Sequence, residues 1–206
     1  MGSLKRCIVN FEDRRYANCF PLPPHEFPEM ELGLIRLRLS AMMFGEYAII
    51  ATWAVPLATF LLAHPTLGGL GFSPTQTAWI YSATAFVGLI APLILGLLAD
   101  RLFSAEKLLA ALHGAGTLLL GYAGWYCQKN QAIIASATES TALVQETFLG
   151  LLAIMSANAF VVVLSIALCN VIAFRNLADP KRSFGQTRLF GTVAWIIING
   201  GIAFSG

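Results

Sequence analysis

The sequence predicts an all-α membrane protein with about five transmembrane helices. Three observations carry that expectation. Of 206 residues, 57% are hydrophobic and only 12% are charged, whereas a soluble domain is about a quarter charged. The apolar residues gather into five long runs, and roughly 20 such residues make one helical crossing of a bilayer. The basic residues are sorted by loop instead of forming one patch, so the net charge of +2 gives no ground for a nucleic-acid partner. A soluble single domain is excluded on the same composition.

The elements follow in chain order. Residues 1–33 are polar, mixed in charge and interrupted by Pro21, Pro23, Pro24 and Pro28, with no helical period, and read as a flexible cytosolic tail. They have no apolar core of the kind that opens a secretory signal. A start at Met30 would place the first span directly after a short basic lead, and the sequence leaves both starts open. Residues 34–206 form the membrane bundle. Its first span covers about 37–63, closed by His64-Pro65. The second covers about 77–99, entered through Phe72-Ser73-Pro74-Thr75, a turn with capping residues. The third covers about 108–127. The fourth, about 146–174, is long enough to tilt or to extend beyond the lipid. The fifth starts near Leu189 and is still apolar at Phe204.

Orientation follows from the cations. Lys5, Arg6, Arg14, Arg15, Arg36 and Arg38 lie in the head, Arg101 and Lys107 after span two, and Arg175, Lys181, Arg182 and Arg188 after span four. Only Lys129 falls in the remaining loops. Cytoplasmic loops carry the excess of Lys and Arg, which puts the N-terminus inside and the loops after spans one and three outside. The alternation supports the count of five.

Few side chains in the spans carry chemistry. Glu46 is the only acid within an apolar span, roughly 10–14 Å in from the start of span one at 1.5 Å per residue. Charging a carboxylate at that depth is costly, so the group either carries a proton or is kept neutral or paired, for instance with Arg188, for structure alone. Trp53, two turns on, lies near the same helix face and either lines a cavity or packs. Arg188 is an intramembrane cation, and such groups are functional candidates by default. It can bind ligand hydroxyls or carbonyls, swing between a carboxylate and substrate, or anchor the inner interface by snorkelling. Asn170 can bond across helices or to substrate, structural bonding being the commoner role. His113, beside Gly114 and Gly116, reads more readily as a packing histidine than as a proton relay. Gly191, Gly200 and Gly201 permit close helix contact. Cys7, Cys19, Cys127 and Cys169 have no metal-type spacing, and the two within the apolar runs read as small hydrophobes. There is no catalytic triad, phosphate loop or metal box, so the sequence reads as neither an enzyme nor a cofactor protein.

The loop after span two reads Gly96-Leu97-Leu98-Ala99-Asp100-Arg101, followed by Leu102-Phe103-Ser104-Ala105 and, further on, Lys107. Glycine one turn before the aspartate permits close helix contact, and an aspartate at a helix end can face the positive N-terminus of a neighbouring helix. Gly-x-x-x-Asp-Arg at this place resembles the signature of the major facilitator superfamily, though the glycine and basic pair that usually follow are replaced here. The replacement is similar to a narrower group, the nucleoside:proton symporters. Asp100-Arg101-Leu102-Phe103-Ser104-Ala105 followed by His113 fits that group. So do Arg188-Leu189-Phe190-Gly191-Thr192 with Trp195 three residues on, Leu39-Ser40-x-Met42-x-Phe44, and Asn170-x-x-x-Phe174. The proline common midway along span four in that group is replaced here by Val163-Leu164.

The resemblance covers about 37–206 and implies a major-facilitator-type N-terminal six-helix bundle, here truncated, in a proton-driven nucleoside importer. It implies a bacterial-type inner membrane, nucleoside and protons as partners along with the bilayer, and a missing C-terminal half of the same transporter. Arg188, Thr192 and Trp195 then correspond to positions that line the nucleoside site or couple it to protons, with Trp53 and Asn170 as further lining candidates. Their i, i+4, i+7 spacing puts the first three on one helix face. Thr192 can bond ribose and Trp195 can stack on a base. Glu46 and Arg188 are the proton-coupling candidates, and Gly96, Asp100 and Arg101 the gating loop. Symport of a sugar or other polyol on the same fold, and a non-transporting truncated membrane protein, are the competing readings.

Overall fold

The structure, a computed structural model, describes residues 29–99, 105–137 and 141–205, and the side chains at 29–31, 91–99 and 205 are outside the description. The described residues form five α-helices and no strand. They are α1 (Glu29–Leu62), α2 (Pro74–Ala99), α3 (Ala105–Ser136), α4 (Thr141–Asn176) and α5 (Pro180–Ser205), with a single 3-10 turn at Pro65–Leu67. At 26 to 36 residues each, the helices are about 39–54 Å long, more than the roughly 30 Å hydrocarbon core requires. α1 from Leu32, α3, α4 and α5 are each long and apolar enough to cross a membrane. α2 carries no Asp, Glu, Lys or Arg along its 26 residues. This is a multi-pass, all-α membrane protein.

The helices begin earlier and end later than the apolar runs, because polar residues outside the lipid still continue a helix. α1 starts at Glu29, inside the stretch read as tail. α3 runs through Gln128–Ser136 beyond its apolar part. α5 starts at Pro180, nine residues before the run does. Its start has a local cause: the Asp179 carboxylate accepts from Arg182 N–H at 3.2 Å, and proline at the first helical position loses no hydrogen bond. Arg188 therefore lies two turns inside α5 rather than at its head. At the other end of the molecule, the turn before α2 is a capping box. Ser73 N–H donates to Gln76 Oε1 at 2.9 Å and Gln76 N–H donates to Ser73 Oγ at 3.2 Å, each satisfying a donor that the helix itself leaves open.

The α1–α2 connection is compact. Leu70, Gly71 and Phe72 N–H groups donate to the carbonyls of Phe60, Ala63 and Leu61 at 3.1, 2.9 and 2.8 Å, so the last carbonyls of α1 are not left open. Gly68 and Gly71 take φ of +85° and +67°, a region that L side chains avoid. Phe72 then packs edge-on against Phe148 with centroids 5.9 Å apart.

α4 is the central helix: it packs on α1, α2, α3 and α5 and buries residues along its whole length. Small residues allow this, as in membrane bundles generally: Gly116 faces Val161 across the α3–α4 contact, and Gly150 lies under the Tyr126 hydroxyl. Tyr81 donates to the Ala54 carbonyl and so ties α2 to α1. Two apolar clusters fill the interior. One, around Leu61, Phe72, Ile80, Phe148 and Leu151, lies at the α1–α2 loop end. The other, around Leu39, Met43, Leu109, Leu168 and Ile172, lies at the opposite end. Leu118, Leu89 and Phe86 face outward and exposed, which suits helices whose outer faces meet lipid.

Candidate functional site

Between the two apolar clusters lies a buried polar group built from three helices. Met43, one turn before Glu46 on α1, is fully buried in the lower cluster, and this phase directs Glu46 inward, where it is 4% exposed. Ser165 and Cys169, one turn apart on the buried face of α4, meet it there. The Ser165 hydroxyl donates to Oε1 at 2.5 Å and the Cys169 thiol to Oε2 at 3.5 Å. His113, two turns into α3, places Nε2 3.1 Å from Oε2. Both carboxyl oxygens are thus occupied. A carboxylate in these surroundings accepts from Ser165 and from imidazole N–H, and a protonated carboxyl can donate to a neutral imidazole nitrogen without any atom moving far.

Tyr47 follows Glu46 and, about 100° further round the helix, faces α5. Its ring lies against Gly191, where an added Cβ would fall 2.6 Å from Cδ2 and 3.0 Å from Cγ. Here Tyr47 walls a cavity of about 250 Å³ together with Arg188, Thr192 and Trp195. The three α5 residues that the i, i+4, i+7 spacing puts on one face thus line one cavity. Arg188 and Thr192 are exposed and Trp195 is half-buried. The set offers a guanidinium, two hydroxyls and two aromatic rings, donors and flat surfaces suited to a hydroxyl-bearing ligand with a planar ring.

The other candidates are placed differently. Glu46 pairs with His113, not with Arg188, and Arg188 makes no ion pair among the described residues. Of the alternatives open for Glu46, pairing with Arg188 is not the one formed, because Glu46 turns toward α3 and α4 while Arg188 faces Tyr47. Trp53 shares Glu46's side of α1 and lines a separate, mostly apolar cavity of about 400 Å³ between α1, α3 and α4, with Leu57, Phe60, Cys127 and Met155. Its indole N–H is buried without a partner among the described residues. Asn170 lines neither cavity, and its Oδ1 is likewise buried and unpaired. Gly96 lies in α2, and Asp100 and Arg101 are outside the described residues. Tyr47, Ser165 and Cys169 join the site without being candidates from the sequence. A serine and a cysteine one turn apart within an otherwise apolar run were the available signal, and Cys169, read as a small hydrophobe, touches the carboxyl.

The family model of the nucleoside H+ symporters matches residues 33–205. The chain belongs to the nucleoside H+ symporter family. It is 35% identical over 159 residues to the putative nucleoside transporter YegT of Escherichia coli (strain K12), covering 77% of this chain and 32% of that protein. It is 28% identical over 167 residues to the xanthosine permease of the same organism, covering 79% and 34%. To the nucleoside permease NupG of that organism it is 23% identical over 176 residues, covering 84% and 36%. The chain therefore spans about a third of the length of the curated relatives it matches. No solved structure gives a significant match.

Proposed function

We propose that the whole protein is a nucleoside:proton symporter working by alternating access, and that this chain supplies its N-terminal bundle. The observation that carries the reading is the cavity of about 250 Å³ walled by Tyr47, Arg188, Thr192 and Trp195, in a member of a nucleoside H+ symporter family. In this reading Trp195 and Tyr47 take the base between or beside their rings, since stacking serves any base. Arg188 and the Thr192 hydroxyl bind sugar hydroxyls or base carbonyls. The curated names of the relatives, nucleoside transporter and xanthosine permease, favour that substrate class over sugars.

Glu46 carries the proton. It is a buried acid at membrane depth with satisfied oxygens, and the very next residue, Tyr47, forms the cavity wall. The N-terminus faces the cytoplasm by the distribution of Lys and Arg, the membrane is a bacterial-type inner membrane, and Gly96, Asp100 and Arg101 belong to the loop that gates the conformational change. The C-terminal half of the same transporter closes the cavity on its open side, as transporter sites lie between repeats. Trp53 walls the second cavity.

The test is uptake of labelled uridine by the whole protein in proteoliposomes with and without an inward proton gradient, competed by unlabelled nucleosides and by sugars. Gradient-dependent uptake blocked by nucleosides is expected. Competition by sugars with no effect of nucleosides would defeat the reading.

A further inference from the structure

We infer that His113 and Glu46 hold the coupling proton as one unit, and that His113 is the group through which the buried carboxyl exchanges it. The inference rests on the symport reading above and goes beyond it by naming the partner. Three observations support it. His113 Nε2 lies 3.1 Å from Glu46 Oε2, and the His113 side chain is 37% exposed while that of Glu46 is 3% exposed. The imidazole thus spans the distance from the buried oxygen to the outside of the bundle. Ser165 Oγ lies 2.5 Å from the other oxygen, Oε1, so Oε2 is the oxygen that faces the imidazole. Among the described residues the titratable groups facing this pair are Cys169 from α4, its thiol 3.5 Å from Oε2, and none from α2 or α5. No Lys or Arg of the described residues reaches the carboxylate, so the imidazole is its counter-group.

The transfer balances on these atoms alone. A proton arriving at Nδ1 of an imidazole that carries its hydrogen on Nε2 makes an imidazolium. The Nε2 proton then passes to Oε2, breaking the N–H bond and forming the O–H bond. Neutral imidazole, now protonated on Nδ1, and a neutral carboxyl remain. Release runs the same steps backwards. Two ring nitrogens serve because one faces the acid while the other is left to take up or give away the proton.

The experiment uses the whole transporter in proteoliposomes and compares His113→Gln with the unmodified protein. Glutamine can still donate a hydrogen bond toward Oε2 but cannot carry a proton, so the fold contact is kept. Exchange of labelled nucleoside across membranes without a gradient should stay within about two-fold, and accumulation driven by a proton gradient should fall at least ten-fold and lose its dependence on pH. The double variant Glu46→Gln with His113→Gln should be no worse than either alone, because residues acting as one unit do not add. A swapped pair, Glu46→His with His113→Glu, guards against loss through misfolding and should recover part of the accumulation. Accumulation by His113→Gln equal to that of the unmodified protein overturns this inference alone. So does a swapped pair that exchanges nucleoside but does not accumulate it. Absence of nucleoside uptake in the unmodified protein overturns the symport reading and this inference with it.

Discussion

Replacing Gly191 with alanine should damage the cavity and the α1–α5 contact together. The added Cβ would fall 2.6 Å from Tyr47 Cδ2 and 3.0 Å from Cε2 and Cγ, where ordinary contact begins at 3.4 Å, so the ring must retreat by about 0.8 Å or more. The clash includes the root of the ring and not only its tip, so a small swing about χ2 does not relieve it. Either χ1 leaves its well or α5 moves away from α1. Overpacking of this kind costs about 1–3 kcal/mol, a five- to 150-fold loss in the folding equilibrium. Because Tyr47 also walls the cavity with Arg188, Thr192 and Trp195, and binding geometry tolerates only about 0.5 Å, nucleoside affinity should fall roughly ten-fold, or about 1.4 kcal/mol. The assay is thermal unfolding in detergent alongside nucleoside binding. Gly200→Ala is the control: it is in the same helix with nothing within 4 Å of the added Cβ, and alanine is the better helix former by about 0.8–1 kcal/mol. Pairing Gly191→Ala with Tyr47→Ala should restore much of the stability while leaving affinity low. A Gly191→Ala protein as stable and as tight-binding as the unmodified one would refute the close packing of ring on glycine.

Three further outcomes follow from the same contacts. Glu46→Gln should abolish accumulation against a gradient while sparing nucleoside exchange, since glutamine keeps the bonds to Ser165 and His113 but holds no titratable proton; unchanged accumulation would make Glu46 structural. Asn158→Leu should raise stability by about 1–3 kcal/mol, because the Asn158 amide is fully buried with neither atom hydrogen-bonded among the described residues; a lower melting temperature in detergent would show that the amide has a partner in the membrane. Ser73→Ala removes half of the capping box at the start of α2 and should cost about 1 kcal/mol, read as a lower melting temperature with transport kinetics otherwise unchanged.

The helices were legible because a run of some twenty apolar residues declares a span whatever its neighbours do. Their ends were not, since Lys181, Arg182, Gln186 and Arg188 sit in a helix that hydropathy alone reads as a loop. The α5 face was legible too: Arg188, Thr192 and Trp195 share a side by arithmetic of the helix repeat, and they line one cavity. The partners of Glu46 were hidden for a different reason. His113, Ser165 and Cys169 come from two other helices, and nothing in the order of residues along α1 states which neighbour faces which side. α1 is apolar nearly all round, so it has no polar stripe from which to read its rotation. Trp53, on the side of Glu46, lines a different cavity from Arg188, and nothing along α1 marks Tyr47 as facing α5.

The rotation of α1 also bears on coupling. Glu46 and Tyr47 are consecutive, so one helix carries the acid on its α3–α4 side and the cavity wall on its α5 side. A helix backbone transmits a shift of one residue to the next with little loss, whereas two side chains on separate loops would not move together. Any change in the Glu46–His113–Ser165 bonds that turns or slides α1 must therefore move the Tyr47 ring against Gly191. The ring packs so close to Gly191 that an added Cβ would fall 2.6 Å from Cδ2, so a shift of α1 changes the fit of the ring against α5 and the cavity it walls. On the symport reading, this geometry would join protonation to cavity shape through α1 alone. The consequence can be measured: a fluorescent or spin label on α5 near Trp195 should respond to pH in the unmodified protein, and the response should vanish in Glu46→Gln. A label response that persists in that variant would place the coupling elsewhere than α1.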